Sequence, residues 1–159
     1  MSRCGIGYDS HRFAEGRALI LGGWEIPGEK GLEGHSDADV LCHALVDAIL
    51  GAAALGDIGQ HFPDTDPRWK DASSLDFLKQ TIALLQWKQL RLLHLDASII
   101  TESPRLSPHL DAIRASLAAA AGLEVTAVSV KATSNEGMGW IGRGEGMAAL
   151  AIASVEETS

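Results

Sequence analysis

Cysteine is scarce in this chain. Cys4 and Cys42 are the only two among 159 residues, too few to staple a fold, so the expected setting is a reducing cytoplasm. Long apolar runs are also missing. Asp, Glu, Lys or Gly interrupts each hydrophobic stretch before it could span a bilayer. The opening MSRCGIGYDSHRF has no signal-peptide core and looks like a strand entering the fold. Positive charge is the third shortage. Thirteen Lys and Arg stand against 21 Asp and Glu, and the net charge of −8 argues against nucleic acid or an anionic membrane as partner. A phosphate ligand would need local attraction from metal ions, a few Arg or Lys and backbone N–H groups. Internal repeats, linkers and low-complexity tracts are absent too. At 46% hydrophobic residues, the chain has the size and composition of one domain with a real core, residues 1–159.

What is present is organised around Gly34–Asp66. Ser36 with Asp39 three residues later forms a capping box, which predicts a helix from about Asp37 with Asp37 and Asp39 in its first turn. Leu41, Leu45, Ile49, Ala52 and Leu55 recur at helical spacing as its buried face, and Gly56 is the predicted C-cap. His43 lies off that stripe, one turn from both Asp39 and Asp47, and Asp47 or Asp39 is the expected partner steering its ring. Before this helix, Arg3–His11 alternates as a strand, so Asp9 and His11 project from one face and Cys4, Ile6, Tyr8 and Ser10 from the other. Arg17–Ile26 reads as a second strand hairpin-paired with the first. Beyond the helix, Gly56–Pro67 reads as an exposed loop without periodicity. A second helix over Leu75–Leu90, capped by Ser73 or Ser74, leads to a strand over Leu92–Thr101. Ser107-Pro108 opens an Ala-rich helix that stops at Gly122. Val125–Thr133 is a strand, Ser134–Gly146 a Gly-rich loop, and Met147–Val155 a final strand.

This order predicts an α/β two-layer sandwich, with helices on one face of a mixed sheet. Three helices cannot cover both faces, so the apolar far face is expected to bury against other subunits.

Three constellations could carry chemistry. Asp9, His11 and His43 form a two-histidine, one-carboxylate set that suits a divalent transition metal, zinc most readily. The same residues also fit a plainer reading, as strand-end polar groups and a satisfied half-buried histidine. Lys131–Gly146 combines hydroxyls, glycines, one acid before the last turn and Arg143, which suits a metal–diphosphate site or an ordinary turn-rich loop. Its Gly137–Gly142 stretch matches GxGxxG, but no βαβ unit follows, which excludes a dinucleotide fold. The acidic loops Asp57–Gly59 and Asp64–Asp66 suit ligand binding or simple capping. His35 stands before a helix N-terminus, where a phosphate would be welcome. His61, His94 and His109 carry no assignment, and Cys42 beside His43 is not a dyad.

Taken together, GxGxDxH at Gly5–His11, HSDADV with His43, GDIG and FPDTDP at Gly56–Pro67, and KAT with GRGEG in Lys131–Gly146 resemble the 2-C-methyl-D-erythritol 2,4-cyclodiphosphate synthase family. The resemblance runs over essentially the whole chain. It implies release of CMP from 4-diphosphocytidyl-2-C-methyl-D-erythritol 2-phosphate with formation of the cyclic diphosphate. It also implies a homotrimer with sites between subunits and sheets facing a threefold axis. Carried over by position, Asp9, His11 and His43 would hold Zn²⁺ and Glu136 would contact Mg²⁺. His35 and Ser134 would stabilise the transition state, with Ser10 and Ser36 among the substrate contacts. Asp57, Ile58, Gly59, Phe62, Pro63, Asp64, Thr65 and Asp66 would hold the erythritol part. Thr101, Glu102, Ser103, Pro104, Arg105, Leu106 and Ser107, with Thr133, Ser134, Asn135 and Glu136, would frame the cytidine and its phosphates. Trp140 and Arg143 would lie near the substrate or the axial channel, which can hold an isoprenoid diphosphate. Ser134 stands where Thr is common, and Leu150 where many members carry Glu. A bacterial cytoplasm is the implied location, and a mature plastid form would look similar. Two rivals make different products: a zinc hydrolase gives linear phosphates, and a diphosphate-binding protein releases no CMP.

Overall fold

The computed structural model describes residues 1–158. Its centre is a five-stranded mixed sheet in the order β4-β1-β7-β5-β6. The strands are β1 (Ser2–Ala14), β4 (Gly31–Leu32), β5 (Leu90–Ile100), β6 (Val128–Thr133) and β7 (Gly146–Glu157). β5 and β6 run parallel; the other neighbours are antiparallel. Helices α1 (Val40–Ala52), α3 (Ser74–Trp87) and α4 (Leu110–Ala121) cover one face. Short helices α2 (Ile58–His61) and α5 (Gly139–Gly142) sit within the two long loops. No helix among the described residues is long and apolar enough to cross a membrane.

The alternation of β1 is as expected, and it places α1. A Cβ on Gly7 would collide with the Ala44 carbonyl oxygen, and one on Gly5 with the Ala48 carbonyl oxygen and the Ala52 nitrogen. The missing side chains therefore let α1 press directly on β1. That contact brings a helical side chain within reach of Asp9 and His11. The helix is buried almost all round, with His43, Asp47 and Gly51 as its exceptions among Val40–Ala52.

Several expected boundaries move. α1 begins at Val40, not near Asp37, because its cap is Asp39, whose Oδ1 accepts the Cys42 N–H at 2.9 Å. Ala38 before it has a φ of 57°, which blocks a helical start further upstream. Ser36 is therefore not the cap, and Asp37 lies outside the first turn. At the other end the cap is Ala53, not Gly56. The Leu55 N–H reaches the Leu50 carbonyl at 2.9 Å and the Ala54 N–H reaches Gly51 at 3.1 Å, closing a Schellman motif with Ala54 at φ 56°. Arg17–Ile26 does not pair with β1. It folds on itself as β2 (Leu19–Leu21) and β3 (Trp24–Ile26) around Gly22-Gly23. α3 ends at Trp87, α4 starts at Leu110 rather than Pro108, and Val125–Ala127 is a 3₁₀ turn before β6.

Asp39 also ties that hairpin to the helix. Its two carboxylate oxygens accept the Gly22 and Gly23 N–H groups at 3.0 and 2.8 Å. Burial, and then nearby Asp37, push its carboxyl pKa up, while these three N–H donors pull the other way. Asp39→Ala is expected to strand three donors and destabilise the fold by about 3 kcal/mol, read as a lower urea midpoint with an unchanged slope.

The sheet's far face stays open in one copy of the chain. Ile6, Tyr8, Leu150 and Ile152 are 67%, 56%, 42% and 48% exposed, and β1–β7 register sets Ile6 beside Ile152 and Tyr8 beside Leu150. Four large, mostly apolar side chains side by side on a water-facing sheet call for a covering partner.

Candidate metal centre and active site

Three donors converge where β1 meets α1. Asp9 Oδ2 lies 2.8 Å from His11 Nε2 and 3.1 Å from His43 Nδ1, and the two histidine nitrogens are 3.2 Å apart. Among the described residues this is the one group of three such side chains able to hold a metal ion. Metal–ligand bonds of about 2.0–2.1 Å in a tetrahedron set donors roughly 3.3 Å apart, so the triad needs only a slight expansion.

The outer sides of both rings are already occupied. His11 Nδ1 lies 2.7 Å from the Glu33 carbonyl oxygen, to which it donates. His43 Nε2 faces the Ser74 and Ser36 hydroxyls at 2.9 and 3.1 Å. Protons on those nitrogens leave two imidazole lone pairs and a carboxylate aimed at one point. Three acceptors facing one another repel unless a cation sits among them, so the residues fit a metal. A shared proton is the weaker substitute. Burial works against the Asp9 carboxylate, yet its close contacts with the His11 and His43 rings outweigh it and lower its pKa to about 2. Burial likewise disfavours a charged His11, and the bond with Asp9 overcomes this and raises its pKa.

The partners expected to steer His43 are not the ones found. Asp47 Oδ1 accepts the Ile58 N–H at 2.7 Å, and Asp39 is spent on Gly22, Gly23 and Cys42. The groups on the ring are Ser36 and Ser74. Ser74 in turn donates to Asp37, which also accepts the Ser74 N–H at 3.0 Å and so caps α3 in place of Ser73. Ser74 and Asp37 are 37 residues apart, and no sequence spacing marks such a contact.

A cavity of about 380 Å³ opens in front of the triad. His11 and His43 line it, with Gly34, His35 and Ser36 on one side and Ile58, Gly59, Phe62, Pro63 and Asp64 on the other. Trp69 and Phe77, neither marked by any motif, complete it. Phe62 stacks on Phe77 with centroids 4.6 Å apart, and Trp69 meets Phe62 edge-on at 5.3 Å. This aromatic wall gives the loop after α2 more structure than its sequence suggests. Asp57 and Asp66 act as caps: Asp57 accepts the Gln60 N–H at 3.0 Å and Asp66 the Arg68 N–H at 2.9 Å. Neither they nor Thr65 line this cavity. His35 Nε2 lies 3.2 Å from the Asp66 carbonyl oxygen.

The remaining candidates gather elsewhere, at the end of the parallel β5–β6 pair. The Thr101 N–H donates to the Thr133 carbonyl at 3.0 Å. Glu102 Oε1 accepts the Asn135 and Gly137 N–H groups at 2.8 and 3.2 Å, which clamps the two loops together. Ser134 Oγ accepts the Glu136 N–H at 3.2 Å, and Arg105 donates to Ser107 at 3.0 Å. Leu106 is buried in the core, so it can offer a ligand only its backbone. None of Thr101–Ser107 or Thr133–Glu136 lines the cavity before the triad. Ser10 projects from the opposite face of β1 and lines a second cavity with His11, Arg12, Trp140 and Glu145. Arg143 is paired with Glu145 at 3.1 Å.

A model of the YgbB family matches residues 2–156. The chain belongs to this family. A protein of Alkaliphilus oremlandii is 56% identical over 153 residues, covering 96% of this chain and 98% of its own. One of Gloeobacter violaceus is 56% identical over 155 residues, covering 98% and 95%. Both relatives are named 2-C-methyl-D-erythritol 2,4-cyclodiphosphate synthase. Among solved structures, bifunctional IspDF of Campylobacter jejuni superposes with a TM-score of 0.96 at 41% identity. That match covers all of this chain and 43% of the bifunctional one. A CDP-bound 2C-methyl-D-erythritol-2,4-cyclodiphosphate synthase superposes with a TM-score of 0.88 at 38% identity, over 97% of this chain and 100% of its own.

Proposed function

We propose that the chain is a cyclodiphosphate synthase. It would convert 4-diphosphocytidyl-2-C-methyl-D-erythritol 2-phosphate to 2-C-methyl-D-erythritol 2,4-cyclodiphosphate and CMP. The observation that carries this reading is the convergence of Asp9 Oδ2, His11 Nε2 and His43 Nδ1 at the mouth of the cavity lined by His35 and Phe62–Asp64. Named relatives more than half identical over nearly the full length support it. In the reaction, an oxygen of the 2-phosphate attacks the β-phosphorus, the bond from that phosphorus to the bridging oxygen breaks, and CMP leaves with the α-phosphate. The nucleophile is already ionised, so the protein needs no activated Ser or Cys. Its task is to bring anions together on a chain whose own net charge is −8.

Asp9, His11 and His43 would hold Zn²⁺ and Glu136 would contact Mg²⁺, the two ions supplying the positive charge that draws electron density from the phosphates. Ser36 and Ser74 hold the His43 ring with Nδ1 toward Asp9 and His11. His35, whose backbone carbonyl holds the Asp71 N–H at 2.9 Å, is placed to donate to a phosphate oxygen. Ile58, Gly59, Phe62, Pro63 and Asp64 enclose the erythritol part, and the aromatic wall keeps bulk water from it. Asp57, Thr65 and Asp66 shape the loop around it. Thr101–Ser107 and Thr133–Glu136 frame cytidine and its phosphates, with the Ser134 hydroxyl at the reacting end. Ser10 and Trp140 border the site from the second cavity, with Arg143 held beside them by Glu145.

Within one copy, Thr101–Ser107 and Thr133–Glu136 stand away from the cavity before the triad. We therefore assign one active site to two neighbouring copies of a homotrimer, in which the open sheet faces meet around the threefold axis. Ile6, Tyr8, Leu150 and Ile152 would wall an apolar axial channel fit for an isoprenoid tail. Mixed trimers test the shared site. His43→Ala and Glu136→Gln subunits, each inactive alone, are expected to regain part of wild-type CMP release when co-assembled; no recovery would refute it. Ile152→Asp, which places a charge on a half-exposed site and spares the core, is expected to give folded monomers without turnover, read by light scattering and CMP release.

A further inference from the structure

The two nitrogens of His43 have different duties, and something must choose between them. A neutral imidazole carries its proton on either nitrogen, and in water neither form excludes the other. Only the form with the proton on Nε2 presents a lone pair at Nδ1, the atom 3.1 Å from Asp9 Oδ2. Reading the triad as a metal site, we propose that Asp37 and Ser74 are positioning residues that lock His43 in this tautomer.

The direction of each hydrogen bond carries the argument. Asp37 receives donors only. Its Oδ2 accepts the Ser74 N–H at 3.0 Å, and its Oδ1 accepts the Asp39 N–H at 3.2 Å and the Ser74 hydroxyl proton. Every contact of this carboxylate is with a donor, so the one proton of the Ser74 hydroxyl is committed to it. The face of Ser74 Oγ toward His43 Nε2, 2.9 Å away, is then a lone pair. Nε2 must carry hydrogen, and Nδ1 is left bare for the ion. Ser74 is fully buried, so water does not compete for this arrangement. Ser36 Oγ, 3.1 Å from Nε2 and holding the Ala38 N–H at 3.3 Å, is a second acceptor. Alone it would not fix the tautomer, because its hydroxyl can rotate and donate instead.

The relay also fastens the cavity's far wall to the triad. The Asp37 N–H donates to the Ala72 carbonyl at 3.0 Å, and the Asp71 N–H to His35 at 2.9 Å. The strip from His35 to Asp37 is thereby zipped to the start of α3, beside Trp69 and Phe77. A group that fixes a ligand's tautomer from behind typically changes metal affinity by about 10–100-fold when removed.

The test is read on the metal-free protein and on zinc affinity, not on turnover. Imidazole ¹⁵N correlations above neutral pH should show the wild-type His43 proton on Nε2. Ser74→Ala keeps the Asp37 cap of α3 and leaves Ser36 as acceptor. It should weaken zinc, measured by chelator competition, about 10-fold. Asp37→Asn should cost more, about 100-fold. Keeping the shorter backbone bond turns its amide NH₂ toward Ser74 Oγ, which reverses that hydroxyl and moves the His43 proton to Nδ1. A wild-type proton on Nδ1, or both folded variants binding zinc as wild type does, would overturn the assignment. A protein that binds zinc through His43 but releases no CMP would instead refute the proposed reaction and leave the relay standing.

Discussion

His43→Ala is expected to abolish stoichiometric zinc binding and to lower CMP release by about a thousandfold or more, roughly 4 kcal/mol of barrier. His43 supplies the only donor from α1; Asp9 and His11 both come from β1, two residues apart. Two ligands from one strand end cannot enclose a tetrahedral ion, and their remaining partners would be water. The loss is chemical more than structural. His43 is one of the three residues of α1 that are not buried, so the variant should keep its fold and much of its thermal stability. His94→Ala is the matched control, since that histidine is exposed on β5 and lies outside the triad. It should bind zinc and turn over as wild type does. Retention of turnover in metal-replete His43→Ala would mean that the triad is not the catalytic ion's site.

Gly7→Ala carries the second large effect, and it acts through backbone alone. The added methyl would overlap the Ala44 carbonyl oxygen and crowd the Ala48 nitrogen. Neither atom belongs to a side chain that can rotate away, so α1 would have to lift from β1. Overpacking of this kind costs about 3 kcal/mol, which is roughly 10 °C in Tm for a chain of this size. Because α1 also carries His43, the shift should loosen zinc along with the fold. Gly16→Ala is a useful contrast, with nothing within 4 Å of an added Cβ but a φ of 74°. It should cost about 1 kcal/mol of backbone strain and leave zinc affinity intact. Equal thermal loss in the two variants would show that close helix–strand approach is not what Gly7 provides.

The sequence was most readable where one physical rule acts alone. Alternation along Arg3–His11 put Asp9 and His11 on the helix-facing side, and the β-branched and alanine-rich tail formed β7 as a strand. Gly122 ended α4 because its φ of 66° suits glycine. Local rules failed where tertiary contacts supplied the caps. Ala54 and Gln89 adopt φ values of 56° that propensity would give to Gly or Asn, so α1 and α3 stop earlier than their apolar patterns suggest. Asp39 took the cap expected of Ser36, and it also satisfies two hairpin N–H groups. Trp69, Phe77, Asp37 and Ser74 were invisible as site residues for a similar reason. Each is ordinary in its own segment and acquires meaning only once α3 docks beside α1.

The most direct test of the account is phosphorus NMR of the products made from the cytidyl-diphospho substrate with Mg²⁺ present. The proposed chemistry gives CMP and a cyclic diphosphate in equal amounts, with two mutually coupled phosphorus signals and none from inorganic phosphate. Linear phosphates with CMP, or intact substrate from a folded, zinc-loaded protein, would contradict it.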